Sequence, residues 1–416
     1  GDITAGGAVT FGADKSGTVK TAGDITTTDD DVTFTNAVTQ SGDVSIDTGS
    51  GAGNILFKST VATADKNLTL DAGSAGDITA DKSITGGGVM TVVDGAVQKY
   101  SGAITVDSLD IKDATTSVTL DGDVTTETTL DINTLTGKLI QNAKVDAGSS
   151  VDYDAAGTIE INKSIKSGTT LDIDATGVTT VAEAGDITAG GAVTFGRDKT
   201  GTLTTAGEIT TTDDDVTFAN AVTQSGDVSI DTGSGAGNIL FKSTVATADK
   251  NLTLDAGAAG DITADKSITG GGAFTVVDGA VQKYSGAITV DSLDIKDATT
   301  SVKLDGDITT ETTLDINSGG TLTQNAKVIA GTSLDYDAAT IGINNSMGAG
   351  SSVDIDATGG TIIAETGDIT AGGAVTFGRD KTGTLTTAGE ITTTDDDVTF
   401  TNAVTQSGDV AIDTGG

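Results

Sequence analysis

Apolar residues in this chain come in short alternating runs: two of them flank one polar residue, and Asp or Asn usually follows. Val44–Asp47 reads VSID, Leu68–Asp71 LTLD, Ile104–Asp107 ITVD and Val118–Asp121 VTLD. Leu130–Asn133 (LDIN), Val151–Asp154 (VDYD), Ile159–Asn162 (IEIN) and Leu171–Asp174 (LDID) continue the pattern. A period of two is the signature of a strand with one dry face and one wet face. The Asp or Asn that follows can bond its own backbone and open a turn, with Gly usually close by. No stretch of helix length places apolar residues at i, i+3, i+4 and i+7, so the pattern predicts an all-β chain.

The spacing of the runs selects an architecture. Val9, Val32, Ile55 and Ile78 recur at a constant interval of 23, and Leu130, Val151, Leu171 and Val193 at intervals of 21, 20 and 22. A strand set returning roughly every 20–23 residues predicts the stacked rungs of a parallel β-helix, or β-solenoid. The rival is a row of β-sandwich domains of about 90 residues, which needs Greek-key connections and a bulky core. No half-unit copy supports that rival. With no Pro anywhere, every ladder position also keeps its N–H.

A much longer repeat overlies the short one. GDITAGGAVTFG begins at Gly1, Gly185 and Gly367, which defines copies at 1–184, 185–366 and a partial third at 367–416. The first two copies differ at 11 of their first 133 positions, then diverge and lose two residues, one near TLTGKLIQ and one at Gly157. Single-residue losses are expected in turns, because inside a paired strand a slip turns every side chain to the other face. Each copy should hold eight or nine rungs. At roughly 4.8 Å per rung the whole chain would form one rod on the order of 90–100 Å long. It starts and stops in mid-pattern, and we expect it to be part of a longer protein.

Composition agrees with a narrow core. The 416 residues include nine Phe, four Tyr and no Trp, with Thr about a fifth of the chain and 58 Gly. Thr and Val suit a pleated, half-buried backbone, and so few aromatics argue against one large globular core. The formal net charge of −38 disfavours nucleic acid and anionic membrane and favours cations. No run approaches 18 apolar residues, so no membrane span is expected. Without Cys or His, thiol and imidazole catalysis and thiolate metal sites are ruled out.

Candidate chemistry is sparse. TTTDDDVTF recurs at Thr26–Phe34, Thr210–Phe218 and Thr392–Phe400. Its acids, Asp29–Asp31, Asp213–Asp215 and Asp395–Asp397, could accept calcium, a hard ion that takes six to eight oxygen ligands. Consecutive side chains of an extended chain diverge, however, and a solvated turn between two strands is the favoured reading. GSGAGNILF at Gly49–Phe57 departs from the calcium-binding nonapeptide and reads as a Gly-rich turn. Neither GAGN nor TGGG is a phosphate loop. Paired carboxylates could cleave a glycosidic bond, but no copy carries a polar cluster that the others lack. The only arginines are Arg197 and Arg379, where the first copy has Ala13. Tyr153 and Tyr336 are expected inside, and Tyr100 and Tyr284, in VQKYSG, outside. The N-x-S/T triplets, such as that at Asn67, are chance products of a Thr-rich chain. No catalytic, cofactor-binding or metal-ligating residue is therefore assigned, and the chain is read as a non-enzyme without a cofactor, calcium being the one ion left open.

GDITAGGAVTF, GDVSIDTGSGAGNILF and KNLTLDAGSAGDITA resemble, along the whole chain, the repeat regions of large bacterial surface proteins of the filamentous haemagglutinin type. The resemblance implies a right-handed parallel β-helix, export to the cell exterior and a shaft that carries adhesive ends or joins cells. The amino-terminal secretion domain of that family does not occur in this sequence, and the copies are longer than its usual repeats. The expected function is a structural shaft of an extracellular or cell-surface filament or adhesin. Its expected partners are further copies of the same repeat and other cell surfaces. A calcium-dependent surface-layer or adhesin segment and a polysaccharide-cleaving β-helix are the alternatives.

Overall fold

The computed structural model describes residues 1–415 and contains strands joined by turns and bends, with no helix among the described residues. The chain divides into two compact units, Gly1–Gly207 and Glu208–Gly416. This division falls inside the second sequence copy, which starts at Gly185.

Each unit is a parallel β-solenoid with three strands per coil. In the first unit one face stacks Leu68–Asp71, Val89–Asp94, Ser108–Ile111, Leu130–Thr134, Val151–Ala155, Leu171–Ala175 and Val193–Phe195. A second face stacks Val9–Phe11, Val32–Phe34, Ile55–Phe57, Ile78–Ala80 and Val97–Tyr100, and continues to Val178–Val181. A third runs from Val19–Thr21 to Ile187–Ala189. Both spacings read from the sequence are direct strand partners. Val9, Val32, Ile55 and Ile78 form one column, and Leu130, Val151, Leu171 and Val193 another, on a different face.

That difference of face has a numerical origin. Ile3–Thr4 is the first strand of the chain and its counterpart Ile187–Ala189 the twenty-seventh, so one sequence copy holds twenty-six strands. Twenty-six is not a multiple of three, and a copy therefore spans eight and two-thirds coils. Val9 and its counterpart Val193 occupy different faces of the first unit. The second unit behaves alike: Val216 pairs with Ile239, whereas its counterpart Val398 pairs with Val375 on the face of Leu334 and Val353. Within each unit duplication has thus preserved the inward and outward alternation while moving these copied side chains to a new face.

Alternation builds the core. Strands such as Val32–Phe34, Ile55–Phe57 and Ile78–Ala80 bury their first and third residues and leave the middle one half-exposed. Equivalent positions stack in register, so Phe11, Phe34 and Phe57 form a run of parallel rings with centroids 4.8 and 5.0 Å apart. All four tyrosines are inside. Tyr153 and Tyr336 match the sequence expectation, but Tyr100 and Tyr284 do not, being 0% and 1% exposed. The VQKY strand buries Gln and Tyr and exposes the intervening Lys. The buried tyrosine hydroxyl is satisfied from within: Tyr100 donates to Gln98 Oε1 at 3.2 Å, while Gln98 Nε2 donates to Asp113 O at 2.7 Å. An inward polar pair of this kind disguises the alternation, because Val97, the aliphatic residue of the strand, is the half-exposed one.

The two deleted residues fall at corners. In the first copy Leu130–Thr134 and Lys138–Gln141 are separate strands. Their counterparts fuse into Leu314–Gln324, and Leu334–Ile343 and Val353–Ile363 are similarly continuous. Pairing shifts register between Ser318 and Thr321 and between Ala338 and Thr340, and the flanking ladders stay aligned. Losing one residue shortens a corner without slipping a strand, as expected from the sequence.

Candidate functional site

The acidic triplets lie between the strands Ile25–Thr26 and Val32–Phe34, where Asp29 and Asp31 are exposed. Asp29 has φ of 58°, in the left-handed region that Asp tolerates better than most residues. Its Oδ1 accepts from the N–H of Gly51 on the next coil at 2.6 Å, and Asp31 Oδ1 accepts from both the backbone and side-chain amides of Asn54 at 2.9 Å. Asn54 Oδ1 then accepts from Asp77 N, and Asp77 Oδ1 from Val97 N. The second copy repeats the chain of bonds through Asp213, Asp215, Asn238 and Asp261. These carboxylates tie one coil to the next. Replacing Asp31 and Asp215 together by Ala should cost about 1 kcal/mol at each site. Urea melts with and without calcium would show the same deficit.

A different carboxylate array, unassigned at sequence level, is the most unusual chemistry of the molecule. Asp110, Asp131, Asp152 and Asp172 are paired in register on the outside of one face, and Asn133, Asp154 and Asp174 form a parallel row two residues further along. The second unit repeats the array as Asp294, Asp315, Asp335 and Asp354, beside Asn317, Asp337 and Asp356. Stacked strands lie roughly 4.8 Å apart, so each carboxylate meets another above or below it. Burial and then Asp152, Asp110 and Asp154 push Asp131 up to about 6. Burial and its acidic neighbours, from Asp315 onward, push Asp335 up to about 7. Burial likewise raises Asp152, Asp174, Asp315 and Asp354.

The end of each array is roofed. Strand Leu171–Ala175 is buried at all five positions, unlike Val151–Ala155, which alternates. The cover is the corner loop Gly196–Gly201, with sequence GRDKTG. Gly196, at φ +74°, turns the chain out of the strand and donates to Ile173 O at 3.0 Å, and Gly201 donates to Ala175 O at 3.0 Å. Pinned at both ends, the loop sets Arg197 against Asp172 and reaches back two coils with Lys199, whose Nζ lies 2.6 Å from Asp154 Oδ1. Asp198 N–H donates to Asp174 Oδ2 at 3.2 Å. In the second unit Arg379 pairs with Asp354 at 2.8 Å, Lys381 with Asp337 at 2.9 Å, and Asp380 N–H donates to Asp356 at 3.1 Å. Despite Arg197, burial and Asp174 keep Asp172 up at about 6.

The signal for this site is present in the sequence as acids at i and i+2, in DYD and DID, followed one or two coils further on by Arg-x-Lys at Arg197 and Lys199. From sequence the arginines bear only on the question of a catalytic cleft. The fold and this array together define an acidic β-solenoid with a clasped carboxylate ladder near the end of each full sequence copy. No protein-family model, curated protein or solved structure matches the chain.

Proposed function

We propose that the chain is a segment of the structural shaft of an extracellular filament or adhesin on a bacterial cell surface, lengthened by tandem duplication. One observation carries this reading. A copy of twenty-six strands returns Val193, the counterpart of Val9, on a different face of the same unit. A function resting on one continuous surface would be interrupted by that rotation, whereas length and stiffness would not. The axial bonds are indifferent to face, since each Asp or Asn at a corner needs only a neighbouring coil. The resemblance to haemagglutinin-type repeats is consistent with this role, and copies of the same repeat, in this or neighbouring chains, would be the natural partners.

Immunogold microscopy of intact source cells, with an antibody raised against residues 1–184, tests the proposal. Label in rows along thin filaments or at cell contacts is the expected result. Antigen confined to the medium, together with shortening of polysaccharide on incubation with the purified protein, would overturn it in favour of carbohydrate cleavage.

A further inference from the structure

Outward positions of the second unit carry a local change that the fold does not require. In the first copy the strands Val145–Ala147 and Ile165–Ser167 point Asp146 and Lys166 outward, and the two form an ion pair at 3.3 Å. Their counterparts Val328–Ala330 and Met347–Ala349 are again strand partners, but they point Ile329 and Gly348 outward. Ile329 is 38% exposed. Gly348 has φ outside the left-handed region, and a Cβ there would meet nothing closer than Thr370 O at 3.5 Å, an ordinary contact. The backbone at 348 therefore accepts a side chain, and a glycine inside a strand marks a place where another backbone can approach closely. The adjoining face repeats the exchange one corner away. Glu160 and Thr180 of the first copy become Gly342 and Ile362, also strand partners, with Ile362 60% exposed.

A single exposed isoleucine means little on any surface. Ile329, however, walls a shallow depression of about 650 Å³ that Gly348 also lines. Lys327, just ahead of the Ile329 strand, and Asp368, just ahead of Ile369–Ala371, lie on its rim on opposite sides of the Gly348 coil. Thr309 and Thr370 continue the outward column on either side, so no charged side chain stands in it from Thr289 to Thr370. We propose that this depression joins two copies of the chain as a two-fold dimer, with Ile329 of each seated over Gly348 of the other. A two-fold axis lying in the face and parallel to the strands, midway between the coils of Ile329 and Gly348, keeps position along the strand and inverts the order of the coils. Because Ile329 and Gly348 are register partners, that operation sets isoleucine over glycine twice. It also brings Lys327 of each copy within one coil spacing, roughly 4.8 Å along the solenoid axis, of the other copy's Asp368. Charge argues for a copy of the chain over a different protein. Two chains of net charge −38 meet most easily where acids are absent, and the second copy has lost Asp146 and, round the corner, Glu160. A basic partner would be drawn to the acids instead. The contact gives the shaft reading a specific lateral partner but is tested separately from it, since association in solution does not decide where the protein sits on a cell.

Sedimentation equilibrium of the 416-residue chain tests the proposal, at concentrations up to about 0.1 mM to reach weak association and in about 0.15 M KCl to screen the net charge. The expected result is a mass that rises with concentration to that of a dimer and no further. Ile329→Asp/Gly348→Lys, which restores the residues of the first copy, should stay monomeric. Ile362→Thr, which does the same on the adjoining face, should dimerise like the wild type. Circular dichroism melts of each variant establish that it is folded. A wild type that stays monomeric, or a double variant that dimerises with it, would overturn the proposal. So would growth beyond the dimer, because a two-fold contact closes on itself. Loss of association in Ile362→Thr, with the double variant unaffected, would place the contact on the adjoining face and overturn the assignment to Gly348.

Discussion

Lowering the pH of the chelator-treated protein from 8 to 5 should raise its thermal midpoint by about 4–8 °C. The source of the effect is the carboxylate array. In the folded chain Asp131 and Asp172 are raised to about 6 and Asp335 to about 7, each through burial first and acidic neighbours after it. Unfolded, these groups titrate at about 3.9. Between roughly pH 4 and 7 the folded state therefore binds more protons than the unfolded one, and stability falls as pH rises through that window. Below about pH 4 both states are protonated and the gain stops. A tenfold difference in proton affinity between the two states corresponds to about 1.4 kcal/mol. Asp131 and Asp335 are only half-buried and solvent-screened, however, and all three are coupled to their neighbours. We therefore take about 2 kcal/mol for each unit of about 200 residues, where each kcal/mol moves the midpoint by about 2–4 °C. Arg197 and Lys199 oppose the effect at one end of the first array, and Arg379 and Lys381 at one end of the second. Relief of the −38 net charge also favours acid, so a variant must separate the two causes. Asp335→Asn should raise the midpoint at pH 8 and leave it unchanged at pH 5, whereas Asp14→Asn, on an exposed bend, should do little at either. An unchanged or lower midpoint at pH 5 would show that the array does not dominate the titration.

What can be read from the chain without its structure divides along a physical line. The period of two and the regular return of the strand set are properties of the backbone path. They therefore yield the solenoid, and even two of its columns, without any contact being known. Tyr100 and Tyr284 are misplaced from sequence because a buried hydroxyl can be satisfied by a buried Gln, and an inward Gln in VQKY looks like an outward residue. The triplet reads as a turn, but its acids also cap amides of the following coil. That bonding depends on which residues lie one coil apart, and corners of varying length blur this distance in the sequence. The roofed aspartates are hidden for a related reason. In sequence Lys199 lies 45 residues from Asp154, and only two stacked coils bring them to 2.6 Å. The change of face between copies requires a count of strands, because corners of uneven length let a copy pass for a whole number of turns.

The 58 glycines look like turn-formers, yet several serve a different purpose, which predicts the second large effect. Gly168 follows the strand Ile165–Ser167 and is exposed, with φ outside the left-handed region. By exposure alone it should accept Ala freely. A Cβ there would instead run into the carbonyl of Gly148 on the coil below, a Cβ on Gly148 would meet the carbonyl of Glu127, and one on Gly190 that of Gly168. Gly331, Gly350 and Gly372 form the same column in the second unit. The obstacle is backbone held by ladder bonds on both sides, as in the 2.9 Å bond from Gly168 N to Ala147 O, so it cannot turn aside as a side chain would. Gly168→Ala should therefore behave as overpacking at the upper end of the usual range, about 3 kcal/mol, and lower the midpoint of the first unit by about 6–12 °C. Lys163→Ala, at an exposed position just before that strand, should shift it by no more than about 1 °C. If Gly168→Ala melts with the wild type, the coils can part at this corner. The glycine column would then be a matter of turn composition, and the close stacking that the corner ladders rely on would have to be maintained by the strands alone.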